Sequence, residues 1–355
     1  MSGRENKKRH PLLWFLAILM AGGLVASYLA MYVNPAKAWY MTIFGLLFVV
    51  FAVLNAVMFL AGVLHWSRSA LFSLVILVPA LFLSGRYVKF SGSETEERGN
   101  LKVVSYNVGR FASAAKGLKL NEQECVDSVF RYLLGTGADI ICLQEFHFPG
   151  GLRTKDYLEE RFRNYQAEYY LNQNAHGFYG NVILSRFPVR SKGKLDLPKS
   201  ANIAMYADID VRGNMLRVYN CHLESYNIET EKFTHDLGTD STLVRRTELK
   251  MKHSIERRAG QVDMMVSSME SSPYESLVVG DFNDSPVSCT YRRLSRGRSD
   301  AFVKAGKGYG ATYRLLWPLL RIDYILYPSH FDCAGYRMEK VKYSDHYPIQ
   351  ADLMI

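Results

Sequence analysis

Acids, amides and imidazoles stand at the ends of five short apolar runs in this 355-residue chain. They are Ser105-Tyr106-Asn107-Val108, Leu143-Gln144-Glu145, Asn220-Cys221-His222-Leu223, Gly280-Asp281-Phe282-Asn283-Asp284 and Ser344-Asp345-His346-Tyr347-Pro348. Together they are the residue types that metal-assisted hydrolysis of a phosphoester requires. A hard divalent cation takes carboxylate oxygens, and magnesium takes only one or two because water and substrate phosphate fill the rest of its shell. Glu145 is the candidate ligand, although alone it would read as a solvated acid at a strand end. The attacking water must be activated and aimed in line with the leaving oxygen. Asp281 and Asn283, two apart and so on one side of an extended backbone, form a carboxylate and amide pair for that work. A turn capped by its acid is the plainer reading of Gly-Asp-Phe-Asn-Asp.

Charge that develops on phosphoryl oxygens needs fixed donors, and imidazole supplies a donor or a proton near neutral pH. His346 follows Asp345 directly, so on a loop one can serve the metal or water and the other the phosphate. A histidine in that role is oriented by a carboxylate on its second nitrogen. Asp323 stands among apolar neighbours in Arg321-Ile322-Asp323-Tyr324-Ile325-Leu326, where an unpaired carboxylate is costly, and is therefore paired with His346. His222, two residues from Asn220 on one strand face, is a second donor or the acid for the leaving group. Taken alone it reads as a satisfied core histidine.

These residues need elements that bring them to one rim. The runs Val103-Val104, Ile140-Ile141-Cys142-Leu143, Leu216-Arg217-Val218-Tyr219 and Leu277-Val278-Val279 are short, apolar and largely β-branched or aromatic, so each predicts a buried strand ending at its polar residue. Gly180 to Ser185 and Ile203 to Val211 read as further strands. Helical spacing runs over Asn121 to Leu134, Tyr157 to Tyr170 and Arg257 to Met269. The polar stretch Tyr226 to Glu256 is long enough for a lid. Many strands with few helices between them predict two sheets packed face to face with helices outside.

The first ninety residues belong to another unit. Pro11 to Val33 and Ala38 to Trp66 are almost free of charge, and Ser69 to Ser84 is a shorter apolar run; at 1.5 Å per residue the first two are long enough to cross a bilayer. A cleaved signal peptide is the alternative for the first. Three spans are expected, at about 11–33, 38–64 and 69–85, then a polar linker over 91–100 and a catalytic domain over 101–355. Arg4, Lys7, Lys8 and Arg9 before the first span and Arg68 after the second outweigh Lys37 in the first loop, which predicts a cytoplasmic N-terminus and a multi-pass membrane protein with an extracytoplasmic catalytic domain. Arg86 and Lys89 oppose that bias.

The chain's net charge of +9 first suggests a polyanionic partner. Residues 1–90, however, hold eight of the Lys and Arg and one of the acids, a surplus of seven, which leaves the catalytic region at +2. A protein that grips nucleic acid by counterion release has a basic face. Arg292, Arg293, Arg296 and Arg298, or Arg245 and Arg246, could supply one, and each also reads as a solvated face. Among the five cysteines, Cys142 and Cys221 lie in predicted core strands; none of the spacings suits a zinc site, and Cys125, Cys289 and Cys333 are too scattered to assign a disulfide.

The motif set resembles the endonuclease/exonuclease/phosphatase superfamily, related to deoxyribonuclease I, from about Leu101 to Ile355. The resemblance implies a four-layer α/β sandwich and magnesium-dependent hydrolysis, with manganese as the other metal, without a covalent intermediate. It assigns metal binding to Asn107 and Glu145 with Asp345 assisting, water orientation to Asp281 and Asn283, and contact with the scissile phosphate to His346 held by Asp323. Asn220 and His222 match the branch with a second active-site histidine. The expected activity is that of a phosphodiesterase on nucleic acid or a lipid head group. The arginine clusters favour a nuclease; the tether, the near-neutral domain and the apolar run Leu315-Leu316-Trp317-Pro318-Leu319-Leu320 favour a sphingomyelinase-like or phosphoinositide-type enzyme. That run could dip into a bilayer or pack as a helix turn. A membrane-anchored binding protein without turnover is the remaining class.

Overall fold

The computed structural model describes residues 10–90, 92, 99–111, 120–149, 154–174, 177–197, 200, 202–226 and 241–355. Arg4, Lys7, Lys8 and Arg9, most of the expected linker and the 227–240 part of the expected lid lie outside the described residues. From Leu101 onward the chain builds two six-stranded mixed sheets. The first comprises β2 (Leu101–Asn107), β3 (Ile140–Pro149), β4 (Gln166–Asn174), β5 (Gly177–Ser185), β13 (Asp332–Met338) and β14 (Ile349–Met354), in the order β13-β14-β2-β3-β5-β4. The second comprises β6 (Val189–Leu195), β7 (Ala204–Val211), β8 (Asn214–His222), β9 (Glu275–Asp281), β10 (Arg298–Asp300) and β12 (Asp323–Pro328), in the order β10-β12-β9-β8-β7-β6. Each holds one parallel pair at its centre, β2 with β3 and β8 with β9.

Val103, Ile140, Cys142 and Ile183 of the first sheet share a buried core with Met205, Val218, Val279 and Ile325 of the second. The outer face of the first is covered by the Glu122–Thr136 helix through Val126, Val129 and Leu133. The Ser241–Glu270 helix covers the outer face of the second through Val262 and Met265. Helix, sheet, sheet and helix are thus the expected four layers. Strands covered on both faces are apolar at successive positions rather than alternating, which is why their runs were legible.

Three expected elements differ. The helix expected over Tyr157 to Tyr170 spans only Thr154–Arg161, and Gln166–Asn174 is an edge strand. Leu158, Phe162 and Tyr165 all pack into one cluster, so the apolar spacing runs through the break without marking it. The helix expected over Arg257 to Met269 starts at Ser241; its first turns carry few apolar residues, and of these Val244 and Leu249 are exposed, so no inward stripe marks them. Consequently the polar stretch read as a possible lid is helical over its second half.

Residues 10–87 fold as α1 (Pro11–Ala30), α2 (Tyr40–Leu46), α3 (Phe48–Leu64) and α4 (Ser69–Ser84). Among the described residues α1 alone is by itself long and apolar enough to cross a membrane. The second expected span is not one straight helix: α2 and α3 meet at Leu47 with a bend of 63°, while α4 has 16 residues. The break leaves carbonyls outside the helical ladder, and they are capped: Ser27 donates to the Phe44 carbonyl at 2.7 Å and Ser285 to the Gly45 carbonyl at 3.0 Å. Inside the bundle the buried Asn55 amide donates to the Met20 carbonyl at 2.8 Å. Large apolar side chains nevertheless point outward on all three long helices, among them Leu12, Phe15, Ile18, Val57, Leu60, Leu71, Val75 and Phe82.

Candidate active site

Three neighbouring strands of the second sheet deliver three polar side chains at one level. In the β8–β9 register His222 stands opposite Asp281, and in the β12–β9 register Asp323 stands opposite Asp281. Gly280 allows this: its φ is +131°, and a Cβ there would overlap the Cys221 carbonyl of the adjacent strand. The first sheet contributes from its facing rim. Asn107 ends β2 opposite Gln144 of β3. The β3–β5 pairing is interrupted between Leu143 and Phe146, and Glu145 occupies this bulge at φ +50°. A bulge re-aims the side chain it carries, here into the cleft between the sheets.

The groups meet there. Asn107 donates to Asp281 Oδ2 at 3.0 Å and to Glu145 Oε1 at 3.4 Å, and its Oδ1 accepts the Gly109 N–H at 3.0 Å. His222 Nε2 lies 3.6 Å from Glu145 Oε1 and 3.9 Å from Asp281 Oδ2. His346 Nε2 lies 3.7 Å from the same Asp281 oxygen, while its Nδ1 is 2.9 Å from Asp323 Oδ2. Asp281 Oδ1 accepts the Asn283 N–H at 2.8 Å. Ser344 donates to the Asn107 carbonyl at 2.7 Å, which fastens the Ser344–His346 turn, with the half-buried Asp345, to the same rim.

Electrostatics separates the two members of the central pair. Burial raises the proton affinity of Asp281, and Asp323 adds to it, against the pull of His346 and His222. For His346 burial works in the opposite direction, but the Asp323 and Asp281 carboxylates outweigh it and hold the imidazole above its ordinary range. Asp281, Asp323 and His346 also lie close enough to one another to suggest a metal cage. Both imidazole nitrogens already face carboxylates, however, so this cluster is better described as a proton-holding group. Glu145, whose carboxylate is 27 % exposed and contacts Arg110 at 3.5 Å, faces a cavity of about 260 Å³ that His222, Tyr179, Ser225 and Arg257 also line.

Of the residues expected from sequence, Asn107, Glu145, His222, Asp281, Asp323 and His346 share this cleft. Asn220 does not reach it. Fully buried, it donates to the Leu143 and Val182 carbonyls at 3.0 and 2.8 Å and accepts from Gln144 at 2.8 Å, so it is a strut between the sheets rather than a group open to substrate. Asn283 is adjacent but not by strand alternation. Its φ is +51°, the chain has left the extended region, and its side chain donates to the Leu223 carbonyl at 2.9 Å.

Sequence reasoning missed Arg258. It is 1 % exposed, donates to the Glu224 carbonyl at 2.9 Å and the Tyr226 hydroxyl at 3.0 Å, and reaches the Asn283 carbonyl and, at 3.6 Å, Asp284. It therefore clamps the turn that follows Asp281. Its spacing from Val262 and Met265 places it on the inward helix face, a signal that was available. Thr312, whose hydroxyl accepts the backbone N–H groups of Ile322 and Asp323 at 3.1 and 3.2 Å, left no such trace.

The Endonuclease/Exonuclease/phosphatase family matches residues 104–346, and a domain family of unknown function matches residues 10–87. No curated protein matches significantly. Solved structures do. An endonuclease/exonuclease/phosphatase from Bacteroides vulgatus is 18 % identical and aligns over 72 % of this chain and 98 % of its own at a TM-score of 0.53. The mannosyl-6-phosphatase Bt3783 of Bacteroides thetaiotaomicron is 16 % identical over 72 % and 100 %, at 0.51. A D. rerio TDP2 humanized by 14 mutations is 18 % identical over 72 % and 99 %, at 0.50. At these identities the likeness establishes the fold.

Proposed function

The chain belongs to the endonuclease/exonuclease/phosphatase family and is a phosphoester hydrolase; from that premise we propose that it is a membrane-anchored enzyme, dependent on a divalent cation, in which Asp281 activates the attacking water. The observation that carries the reading is the convergence of Glu145, Asp281, His222 and His346, from both sheets, on one cleft. The donors suit a hard cation. Three carboxylates, Glu145, Asp281 and Asp323, crowd the site beside His346, Arg110 and Arg257, and the buried Asp323 Oδ1 has no hydrogen-bond partner. Glu145 would hold the ion, magnesium or manganese, with Asp345 assisting. Asn107 would lend an oxygen only with its amide turned over, because its NH₂ now faces both carboxylates. When bound, such an ion neutralises charge on the phosphoryl and leaving oxygens.

The protein's own groups divide the remaining work. Asp281 Oδ1 is held by the Asn283 N–H, and Oδ2, which accepts one hydrogen bond from Asn107, has a second lone pair to take a proton from water; its raised proton affinity suits a base working near neutral pH. His346, kept cationic by Asp323, presents Nε2 to the phosphoryl oxygen. His222 Nε2 is buried without a hydrogen-bond partner, beside the Glu145 and Asp281 carboxylates, and is placed to protonate the leaving oxygen. Water oxygen bonds to phosphorus, the ester P–O bond breaks, Asp281 gains one proton and His222 gives one up. The outward apolar side chains of α1, α3 and α4 support the anchoring, since a soluble protein rarely leaves so continuous an apolar surface. The bundle's direction is that of an odd number of crossings: the His10 and His65 rings meet at its far end, tilted at 5.0 Å, while α1 and α4 both end at the catalytic domain.

Full-length protein in detergent should hydrolyse bis(p-nitrophenyl) phosphate with magnesium or manganese and lose that activity on chelation. A well-folded preparation that turns over neither this diester nor p-nitrophenyl phosphate with either metal would instead make it a binding protein.

A further inference from the structure

The surface that carries the substrate cleft is continuous with the end of the helical bundle. Val88–Lys89 (β1), four residues past α4, pairs with Gly308–Tyr309 (β11), and the Gly310 N–H donates to the Tyr87 carbonyl at 2.7 Å. Tyr309 packs edge-on against Trp317 at 5.5 Å. Trp317 therefore lies two side chains from the point where α4 leaves the bundle. It belongs to the turn Arg314-Leu315-Leu316-Trp317, which touches the site directly: the Arg314 N–H donates to the Asp345 carbonyl at 2.7 Å, and Tyr313 bridges to His346. Instead of packing, this turn exposes its apolar side chains. Leu315 is 55 % exposed, Leu316 41 % and Trp317 38 %, and nearby Phe90 is 95 % exposed. The ammonium of Lys340 sits 3.9 Å over the Trp317 ring.

A second contact fixes the same plane elsewhere. Arg292 stacks at 4.6 Å over Tyr32, just beyond the C-terminal end of α1. Arg293, Arg296 and Arg298 line the cavity between that end and the catalytic domain. Cations and aromatic rings placed where membrane helices emerge are what a head-group layer receives.

We propose that the catalytic domain lies on the bilayer its own helices cross, that Leu315, Leu316 and Trp317 enter the interface beside the cleft, and that the substrate is a phosphoester lipid of that same membrane. The proposal rests on the hydrolase reading of the site and supplies its substrate class. The chemistry is unchanged: water oxygen bonds to the head-group phosphorus, one ester P–O bond breaks, Asp281 takes the water's proton and His222 protonates the leaving oxygen. Of the arginines that suggested nucleic acid, Arg292 and Arg296 are thereby assigned to anionic head groups at the exit of α1, while Arg293 is paired with Asp263 and Arg298 with Ser276. Two exposed leucines beside a single ring suit a bilayer interface better than a charged phosphate backbone.

The experiment uses the full-length protein in two settings. Phosphate or head-group release is measured by phosphorus NMR from mixed vesicles of phosphatidylcholine, phosphatidylglycerol, sphingomyelin and phosphatidylinositol 4-phosphate, and hydrolysis of bis(p-nitrophenyl) phosphate is measured in detergent. The variant Leu315→Ser/Leu316→Ser/Trp317→Ser should lower the ratio of lipid to soluble turnover by about tenfold or more, as expected when three apolar side chains leave an interface. Independently, in a variant with Trp14, Trp39 and Trp66 changed to Phe, the emission of Trp317 should be quenched more strongly by shallow than by deep brominated lipid. Hydrolysis of the soluble diester without release from any vesicle lipid, an unchanged ratio in the triple variant, or quenching no stronger from the shallow lipid would overturn the proposal and leave the hydrolase reading standing. Cleavage of plasmid DNA in preference to vesicle lipid would overturn it too. Loss of both activities in wild type would instead overturn the reading of the site beneath it.

Discussion

In the proposed mechanism Asp281 is the residue on which turnover depends most directly. Asp281→Asn keeps the shape of the side chain and its contact with the Asn283 N–H but removes the proton acceptor. Its kcat on a soluble diester is expected to fall by about three orders of magnitude, with an unchanged circular-dichroism spectrum; turnover close to wild type would remove Asp281 from the role. His346 is governed by the opposite sign. Burial would strip its proton, yet Asp323 and Asp281 hold it above its ordinary 6.5. Its ion pairing therefore stabilises the fold fully below that pH and is lost as pH rises through the elevated folded-state value. The melting-temperature gap between wild type and His346→Gln should be widest in mildly acid buffer and narrow as the buffer turns alkaline. Removing the principal cause, in Asp323→Asn, should move the basic limb of the pH–rate profile to lower pH. An unmoved limb would take the imidazolium out of the mechanism. The side-chain chemistry at these positions was legible because each stands at the end of an apolar run. Orientation was not: Asn283 turns on a positive φ that no residue type announces, and Asn220 is used up by carbonyls of a sheet that only the fold brings opposite.

Elements were legible in proportion to how much of them is buried. Strands covered on both faces stood out, and so did the Glu122–Thr136 helix, whose Asn121–Glu124 capping box was formed as its sequence suggests. The 30-residue Ser241–Glu270 helix was truncated in the reading because only its C-terminal half packs on the sheet. That packing half carries Arg258, and its clamp ties helix, β8 exit and catalytic turn together. Arg258→Met keeps the volume while leaving the Glu224 and Asn283 carbonyls and the Asp284 carboxylate without their cation. Unpairing a buried charge of this kind costs about 3 kcal/mol, so a clear drop in melting temperature is expected. kcat should fall more than KM rises, because the turn that holds Asp281 loosens while the cavity lining stays. An unchanged kcat with lowered stability would make the clamp a purely structural one. Gly280→Ala is the harsher case: φ +131° and the Cys221 carbonyl leave no room for a methyl group, and failure to fold is the expected outcome.

For the molecule as a whole, the helical bundle does more than the anchoring proposed for it. It is built into the catalytic domain at the loop that leaves the active site. Ser285, four residues after Asp281, donates to the Gly45 carbonyl, Arg86 donates to the Pro286 carbonyl at 2.8 Å, and Val287 is buried in the same cluster as Leu24, Met31, Phe48 and Tyr87. Arg321, 1 % exposed, closes the junction from beneath: it pairs with Asp300 and donates to the Arg86 carbonyl at 3.0 Å. None of this was legible in the sequence, since a bend within an apolar run leaves no compositional mark, and the polar contacts are mostly to backbone. The bend at Leu47 now has a reason, because a straight α2–α3 helix would carry Gly45 away from Ser285. Gly45 itself is required, as a Cβ there would overlap the Val287 carbonyl. Gly45→Leu should therefore displace the 284–288 loop from one side while leaving the apolar helices free to insert. Because small misplacements of reacting groups are costly, turnover of a soluble diester by the full-length variant is expected to fall about tenfold or more, although that substrate needs no membrane. Equal turnover would mean that the bundle holds the enzyme in place without shaping its site.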